Sequence, residues 1–408
     1  MLQSELFSKT LREAPKDEVS RNAVLLTRAG FVDKVMAGVY TYLPAGLKVL
    51  NKIKDIIREE MNNLGAQEVL MPALTPKENW EQTGRWNEID VLFKLEGAGG
   101  KEYALGSTHE EIITPLVKKF ASSHKDLPVY VYQIQDKYRN EPRAKSGLLR
   151  GREFSMKDLY SFHKDLADLD DYYDRVKKAY LNIFKRCGLR AEVVEASGGV
   201  FSKFSHEFQV VTPYGEDNII LCDSCDFAQN TEICDLKNGE ACPNCSGNLR
   251  LEKAIEVGNI FKLKTKFSQA FDYKFTDEGG KLQPVLMGCY GLGPSRVMGA
   301  VAEIHNDPKG IIWPAEISPF QAHLLILDHK QDKTAAELYR QLTKAGFDVL
   351  MDDREESAGV KLNDADLMGI SRQLILGGKT KRGEVEYKYR DGSAQGVIKL
   401  KKVSQLFK

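Results

Sequence analysis

Four short segments of this 408-residue chain carry side chains able to do chemistry. In Tyr138-Arg139-Asn140-Glu141 an arginine and a glutamate stand two apart, and on an extended segment that spacing points both to one face, because strand side chains alternate with period two. A basic turn from Pro142 to Gly151 leads into Gly151-Arg152-Glu153-Phe154. Two such runs returning antiparallel would form a hairpin platform that holds a nucleotide by its phosphate, base edge and ring face. The second segment, Gly291-Leu292-Gly293-Pro294-Ser295-Arg296, starts like a dinucleotide-binding turn, but its sixth position is Arg296 in place of glycine and no βαβ pattern surrounds it. A guanidinium there can stack on a flat base and still form hydrogen bonds. Third, Ser107-Thr108-His109-Glu110-Glu111 offers a hydroxyl and a carboxylate, the pairing that an incoming ammonium group needs. Fourth, Cys222 and Cys225, then Cys242 and Cys245, form two Cys-x-x-Cys knuckles whose spacing fits a structural zinc site that four thiolates close to catalysis. Cys187, Cys234 and Cys289 read as small core residues.

These segments need elements to position them. Leu50, Ile53, Ile57, Met61 and Leu64 recur at helical spacing between Gly46 and Leu64, and Gly65 suits the left-handed position past a helix end. Glu68 to Pro72 reads as a short strand, closed by a proline that cannot donate to a ladder. Residues 168–188 predict a second amphipathic helix with Tyr172, Val176, Ala179, Tyr180 and Ile183 on one face. A strand over 282–290 and a helix over 297–304 flank the glycine turn. From about Ser318 the rhythm changes: strands at 322–327, 347–351 and 373–376 alternate with a helix at 334–345 and a polar helical stretch, the pattern of a separate small α/β module. Trp313 to Pro319 is then the linker.

Composition narrows the partners. Lys plus Arg equals Asp plus Glu, at 58 each, so a nucleic acid would have to be met by local basic surfaces. There is no apolar run of signal-peptide length at the start and none long enough to span a membrane, which leads us to expect a cytosolic protein without a membrane partner.

Taken together, the hairpin, the Gly-x-Gly-x-x-Arg turn and the helix-strand unit at 46–72 resemble the three signature motifs of the class II aminoacyl-tRNA synthetases. The run Thr108-His109-Glu110, Tyr132-Gln133-Ile134-Gln135, Arg150 to Asp158 and Ser205-His206-Glu207-Phe208 narrows this to a resemblance to the prolyl-tRNA synthetases of bacterial type. The resemblance covers the chain apart from about 222–250. It implies an α+β fold: an antiparallel sheet flanked by helices over 1–315, with a zinc-ribbon-like insert at 222–250, and an anticodon-binding domain over 318–408. It implies ATP with Mg²⁺, L-proline and proline tRNA as substrates and partners, and a homodimer. The roles it implies place Arg139 and Arg296 at the reacting phosphate, and Arg139, Glu141, Arg152, Phe154, Gln209 and Arg296 around ATP. Thr108, Glu110, Arg139 and His206 would hold proline, and Glu207 would ligate Mg²⁺. Arg143, Lys145, Asp353, Arg354 and Lys361 would meet tRNA. The chain departs from the family at Pro142, Ala144, Lys145 and Ser146 in the hairpin turn, and at Ser357-Ala358 and Ser371 near the C-terminus. Only Ile233 to Ala254 stands where bacterial relatives carry a large editing domain. Two alternatives remain open at this point: another class II enzyme of threonyl or seryl type, and a synthetase-like binding protein without catalysis. The second would be expected to have lost one of Arg139, Glu141 and Arg296.

Overall fold

In the computed structural model, all residues except Pro15, Asp17, Arg143, Lys145, Lys379 and Lys408 are described. The centre is a nine-stranded sheet. In spatial order its strands are Phe204–Val211, Ala191–Ser197, Ala228–Asn230, Asp217–Cys222, Leu249–Lys264, Leu286–Leu292, Glu153–His163, Val129–Tyr138 and Gln67–Glu68. The long strand Leu249–Lys264 pairs with Asp217–Cys222 through its first part and with Phe204–Val211 through the rest, so this end of the sheet curls on itself. Pairing is antiparallel except for two short parallel contacts, one at Gln67–Glu68 and one at Gln229.

Helices Pro44–Asn63, Leu166–Arg186 and Pro294–Ile304 cover one face of the sheet and bury Val49, Ile53, Tyr172, Tyr180, Val297 and Val301 in a single core. The 21-residue helix Leu166–Arg186 begins where the Asp165 side chain accepts the Asp168 amide and ends before Gly188 at φ +81, as its cap residues and apolar period require. The opposite face is left to a smaller cluster under helix Glu110–Lys118 and to the cavities described below.

Two local expectations need correction. The strand expected over 68–72 reduces to Gln67–Glu68, and Leu70 points out, 77% exposed. The strand expected over 282–290 is broken at Val285 into Leu282–Pro284 and Leu286–Leu292, because Pro284 has no amide to extend the ladder.

The C-terminal module is a five-stranded sheet ordered Val349–Asp352, Ala322–Ile326, Arg372–Leu376, Glu384–Tyr389, Gln395–Lys399, with helices Asp332–Lys344 and Ala358–Met368. Its first three strands are parallel. The chain's own start joins this sheet: Leu2 bridges Met351 in parallel, and the buried Gln3 accepts through Oε1 from His323 Nε2 at 2.7 Å. The stretch expected to be the linker is packed, with Trp313 buried against Phe31 and the Ser318 hydroxyl bonded to Phe320 O.

Candidate active site

Arg139 is held one rung beyond the strand Val129–Tyr138, where its amide donates to Arg152 O at 2.8 Å. The extended run expected through Glu141 stops there, since Glu141 N turns back onto Arg139 O at 2.6 Å. The two side chains still reach the same place. Both line a cavity of about 260 Å³ together with Phe154, Glu256 and Arg296. The Arg139 guanidinium lies 5.2 Å from the Phe154 ring centroid. Arg296, in the first turn of helix Pro294–Ile304, donates through Nε to Leu149 O at 2.8 Å and pairs with Glu256 at 2.8 Å. Burial and the Arg296 charge push the Arg139 guanidinium below its ordinary pKa, an electrostatic penalty that a bound phosphate would relieve. Arg152 does not line the cavity: its guanidinium is spent on Glu141 O and Ala37 O, both at 3.0 Å, so it braces the hairpin turn. Arg150 takes the position at the wall, between Glu141 at 3.2 Å and Glu216 at 3.4 Å.

A second cavity of about 230 Å³ shares Arg139, Phe154, Glu256 and Arg296 with the first and adds Thr108, Glu110, Asp158, Tyr160, Phe201 and Cys289. Glu110 starts helix Glu110–Lys118 and is fully buried. Its carboxylate accepts from the Thr108 hydroxyl and from Cys289 Sγ at 3.1 Å, and Arg85 Nη1 lies 3.4 Å away. Arg85 also grips Glu111 at 2.7 Å and is caged by the rings of Trp80, Phe201 and Phe267. Burial pushes Glu111 up to about 7 in spite of the Arg85 charge. Behind Tyr160, Asp158 pairs with buried Lys137 at 2.7 Å and accepts from Gln133 Nε2 at 3.0 Å and Tyr160 OH at 2.9 Å. Cys289 is therefore a wall of this cavity as well as a buried residue, which corrects its reading as core alone.

His206 is not part of this cavity. It neighbours Glu207 on the strand Phe204–Val211, and alternation sends adjacent side chains to opposite faces. Its Nδ1 meets Tyr173 OH at 2.7 Å, on the helix-covered side, and it lines an outer groove beside Cys222 and Cys225. Glu207 and Gln209 lie one layer behind the first cavity. Glu207 accepts from Gln209 Nε2, Asn230 Nδ2 and Asn259 Nδ2 at 2.9, 3.3 and 3.4 Å, and Gln209 also donates to Asp217 at 2.9 Å. On this side the carboxylates that reach the cavity wall, besides Glu141, are Glu216, Asp217 and Glu256. Burial and the nearby Glu256 charge raise Glu207 to about 7, and burial raises Asp217 as well.

The four cysteines do converge. All their sulfurs lie within 4.8 Å of one another, with Cys222 to Cys245 at 3.5 Å and Cys225 to Cys242 at 3.7 Å. Four thiolates bonded at about 2.3 Å to a tetrahedral zinc ion stand roughly 3.8 Å apart, so the donor set fits. Each knuckle also turns an amide onto sulfur, Ser224 N to Cys222 and Asn244 N to Cys242, both at 3.4 Å.

The residues expected to meet tRNA divide differently. Arg143 and Lys145 lie outside the described residues. Lys361 is buried and donates to Ile326 O at 2.8 Å and Asp352 O at 3.4 Å. Arg354 forms two hydrogen bonds to Asp352, at 2.9 and 2.8 Å, and one to Asp364 at 2.9 Å. Asp353 accepts from Ser4 N and Ser4 Oγ at 3.0 and 2.6 Å. All three are committed to internal partners.

Residues that the motifs did not single out complete the site: Tyr160, Phe201 and Glu256 line the cavities, and Arg85 supports Glu110 from behind. Glu256 and Tyr160 carried a signal, since each sits on a strand beside a quoted motif.

A two-chambered cleft over an antiparallel sheet, with arginines where the chambers meet, matches what comparison with known proteins returns. Residues 93–305 match the family model described as tRNA synthetase class II core domain (G, H, P, S and T), and residues 317–408 match the anticodon binding domain. The chain belongs to the class II aminoacyl-tRNA synthetases. It is 34% identical to the proline–tRNA ligase of Sulfurihydrogenibium sp. (strain YO3AOP1), over 98% of each chain, and 34% identical to that of Bacillus cytotoxicus, again over 98% of each. Within its class, then, it is a member of the proline–tRNA ligase family. The crystal structure of a prolyl-tRNA synthetase from Cryptosporidium parvum, complexed with L-proline and AMP, superposes with a TM-score of 0.77 at 18% identity, covering 95% of this chain and 73% of that one.

Proposed function

We propose that this protein activates L-proline with ATP and transfers it to the 3′ end of proline tRNA, without hydrolysing mischarged tRNA itself. The observation that carries the reading is the position of Arg139, which lines both cavities. With proline in the chamber of Thr108 and Glu110 and adenine between Phe154 and Arg296, the proline carboxylate and the α-phosphate would meet at Arg139. One carboxylate oxygen attacks phosphorus, the bond to the β-phosphate bridging oxygen breaks, and pyrophosphate leaves with the electron pair. Arg139 stabilises the charge on the five-coordinate phosphorus by position alone. Glu110 receives the secondary ammonium, with its carboxylate held in place by Thr108, Cys289 and Arg85. Exchange of pyrophosphate into ATP with a panel of amino acids tests the assignment: proline should support it, and dependence on threonine or serine instead would overturn it.

Mg²⁺ accompanies ATP in this class, and the acids present fit it. Asp217 and Glu256 stand at the cavity wall with Glu207 behind, and carboxylates held close together, two of them raised by burial, are relieved by a cation. A zinc ion held by Cys222, Cys225, Cys242 and Cys245 would clamp the two ends of the 222–245 loop, and replacing Cys222 and Cys225 by serine should release one zinc per chain and lower the melting temperature. Two copies would pair through the region around exposed Leu70 and Leu74; light scattering giving a monomer mass would remove that element. The absence of editing is supported by the alignment to the Sulfurihydrogenibium relative. It runs over 552 positions against a chain of 408 residues, leaving a domain's worth of the relative opposite nothing. A pocket that fits proline discriminates against a smaller side chain only by about 10- to 200-fold per missing methylene. Preformed alanyl-tRNA of the proline type should therefore survive incubation with this protein at its spontaneous rate.

A further inference from the structure

The first cavity is bounded by the segment Ser146 to Leu149, which leaves no strand or α-helix to hold it. Besides the Ser146 hydroxyl, which donates to Glu216 at 2.8 Å, a buried side chain from far away in sequence clasps it. Asn22, in the first turn of helix Arg21–Arg28 and fully buried, accepts from Leu148 N at 3.1 Å through Oδ1 and donates through Nδ2 to Ser146 O at 3.1 Å. The same Nδ2 and the Asn22 amide both donate to Glu303 Oε2 at 2.7 Å. Glu303 is itself buried near the end of helix Pro294–Ile304, the helix whose first turn carries Arg296. Between the two clasped residues, Gly147 adopts φ +64, and a Cβ there would lie 2.2 Å from Asn22 Oδ1. The segment has thus given up a side chain to let the amide in. The next carbonyl, Leu149 O, takes the Arg296 Nε hydrogen bond at 2.8 Å, and Leu148 and Leu149 are cavity wall.

We propose that Asn22 is a positioning residue for nucleotide binding: its amide fixes the Ser146–Leu149 segment against the Glu303 helix, and with it the Leu149 carbonyl that orients Arg296. No other side-chain type of this size both donates and accepts at the required points. Asn22→Asp keeps shape but loses both donors and sets a carboxylate against Glu303; Asn22→Ser keeps one contact at most. The proposal rests on the synthetase reading only for the identity of the nucleotide.

The test is ATP–pyrophosphate exchange with separate KM values for ATP and proline, together with calorimetric ATP binding and melting temperatures, on wild type, N22D, N22S and the double variant N22D/E303Q. Loss of a buried hydrogen bond to a charged partner corresponds to roughly tenfold or more, so KM and Kd for ATP should rise about tenfold in N22D and less in N22S, with KM for proline within about twofold. The double variant should recover part of the ATP affinity, because the second change supplies a donor to the new carboxylate. ATP affinity within twofold of wild type in both single variants overturns the proposal. So does a parallel rise in both KM values that follows the melting temperature, which is what a merely structural asparagine would give. Wild type inactive with proline but binding ATP would refute the synthetase reading while leaving the ATP-binding comparison to decide on Asn22.

Discussion

The catalytic cleft and the C-terminal module use the same residue types in opposite electrostatic states. In the cleft, burial wins at four groups, although Lys137 and His109 hold the buried Asp158 below its ordinary value. Glu111 and Glu207 are pushed up to about 7, Asp217 is raised, and Arg139 is lowered, each chiefly by burial and then by a neighbour of like charge where one is near. At the acids of the module pairing wins, while burial lowers the neighbouring His323 to about 4. Burial opposes ionisation of Asp352 and of Asp366, yet Arg354 holds the first below its ordinary value, and Gln373 with Lys388 holds the second. Asp307 on the catalytic side of the junction is likewise held down by its paired Arg390 hydrogen bonds, at 2.8 and 2.7 Å. Charges left in a costly state around a cavity mark where a ligand completes the set, whereas charges already satisfied mark architecture. Arg354 is architecture by this criterion, and Asp353 and Lys361 are engaged by internal hydrogen bonds to Ser4 and to the Ile326 and Asp352 carbonyls.

Substituting one charge in each region separates the two states. Arg139→Ala should lower proline-dependent exchange by at least the 10²- to 10³-fold that single transition-state donors are worth, while the melting temperature changes little or rises, since an electrostatic penalty is removed with the guanidinium. Activity above about a tenth of wild type would break the comparison at its centre. Lys361→Met should do the reverse. The buried ammonium caps two carbonyls at strand ends, and leaving them unpaired costs about 1–3 kcal/mol of stability. Chemical denaturation should show that loss, with the exchange rate unchanged because no tRNA takes part in that half-reaction. A normal denaturation midpoint with weakened tRNA charging would return Lys361 to the binding surface.

The sequence made the apolar periodicity of helices 44–63 and 166–186 legible, because each buries one face and says so every three or four residues. Arg139, Glu141, Phe154 and Arg296 were legible for a different reason: their motif spacings are tied to a hairpin and a glycine turn that local chemistry specifies. His206 was misplaced although the rule that places it was available, since two neighbours on one strand cannot both face the cleft. Lys361, Arg354 and Asp353 failed for a deeper cause. Whether a charge meets solvent or an internal partner depends on contacts such as Lys361 with Ile326 O or Asp353 with Ser4, at separations of 35 and 349 residues. No local pattern encodes those, nor the two-residue pairing of Leu2 with Met351.

The smallest effect concerns Glu207, which stands behind the cleft and carries the same raised state without reaching the cavity. Its folded pKa of about 7 lies above the ordinary 4.5, chiefly through burial and then through Glu256. Between those values the folded protein binds more protons than the unfolded chain, so stability is full below the ordinary pKa and declines as pH rises toward 7. At 1.36 kcal/mol per unit, the decline from this group is on the order of 3 kcal/mol or less. Glu207→Gln keeps the size of the side chain and removes the titration, so its unfolding free energy measured from pH 4.5 to 7.5 should fall less steeply than that of wild type. Because Asp217 and Glu256 remain at the cavity wall, exchange activity at saturating Mg²⁺ and ATP should drop by less than about tenfold, below what loss of a transition-state donor costs. Equal pH slopes in the two proteins would mean that the three amides around Glu207 already hold it ionised. A drop of a hundredfold or more in exchange would move Glu207 forward from the supporting layer to the metal.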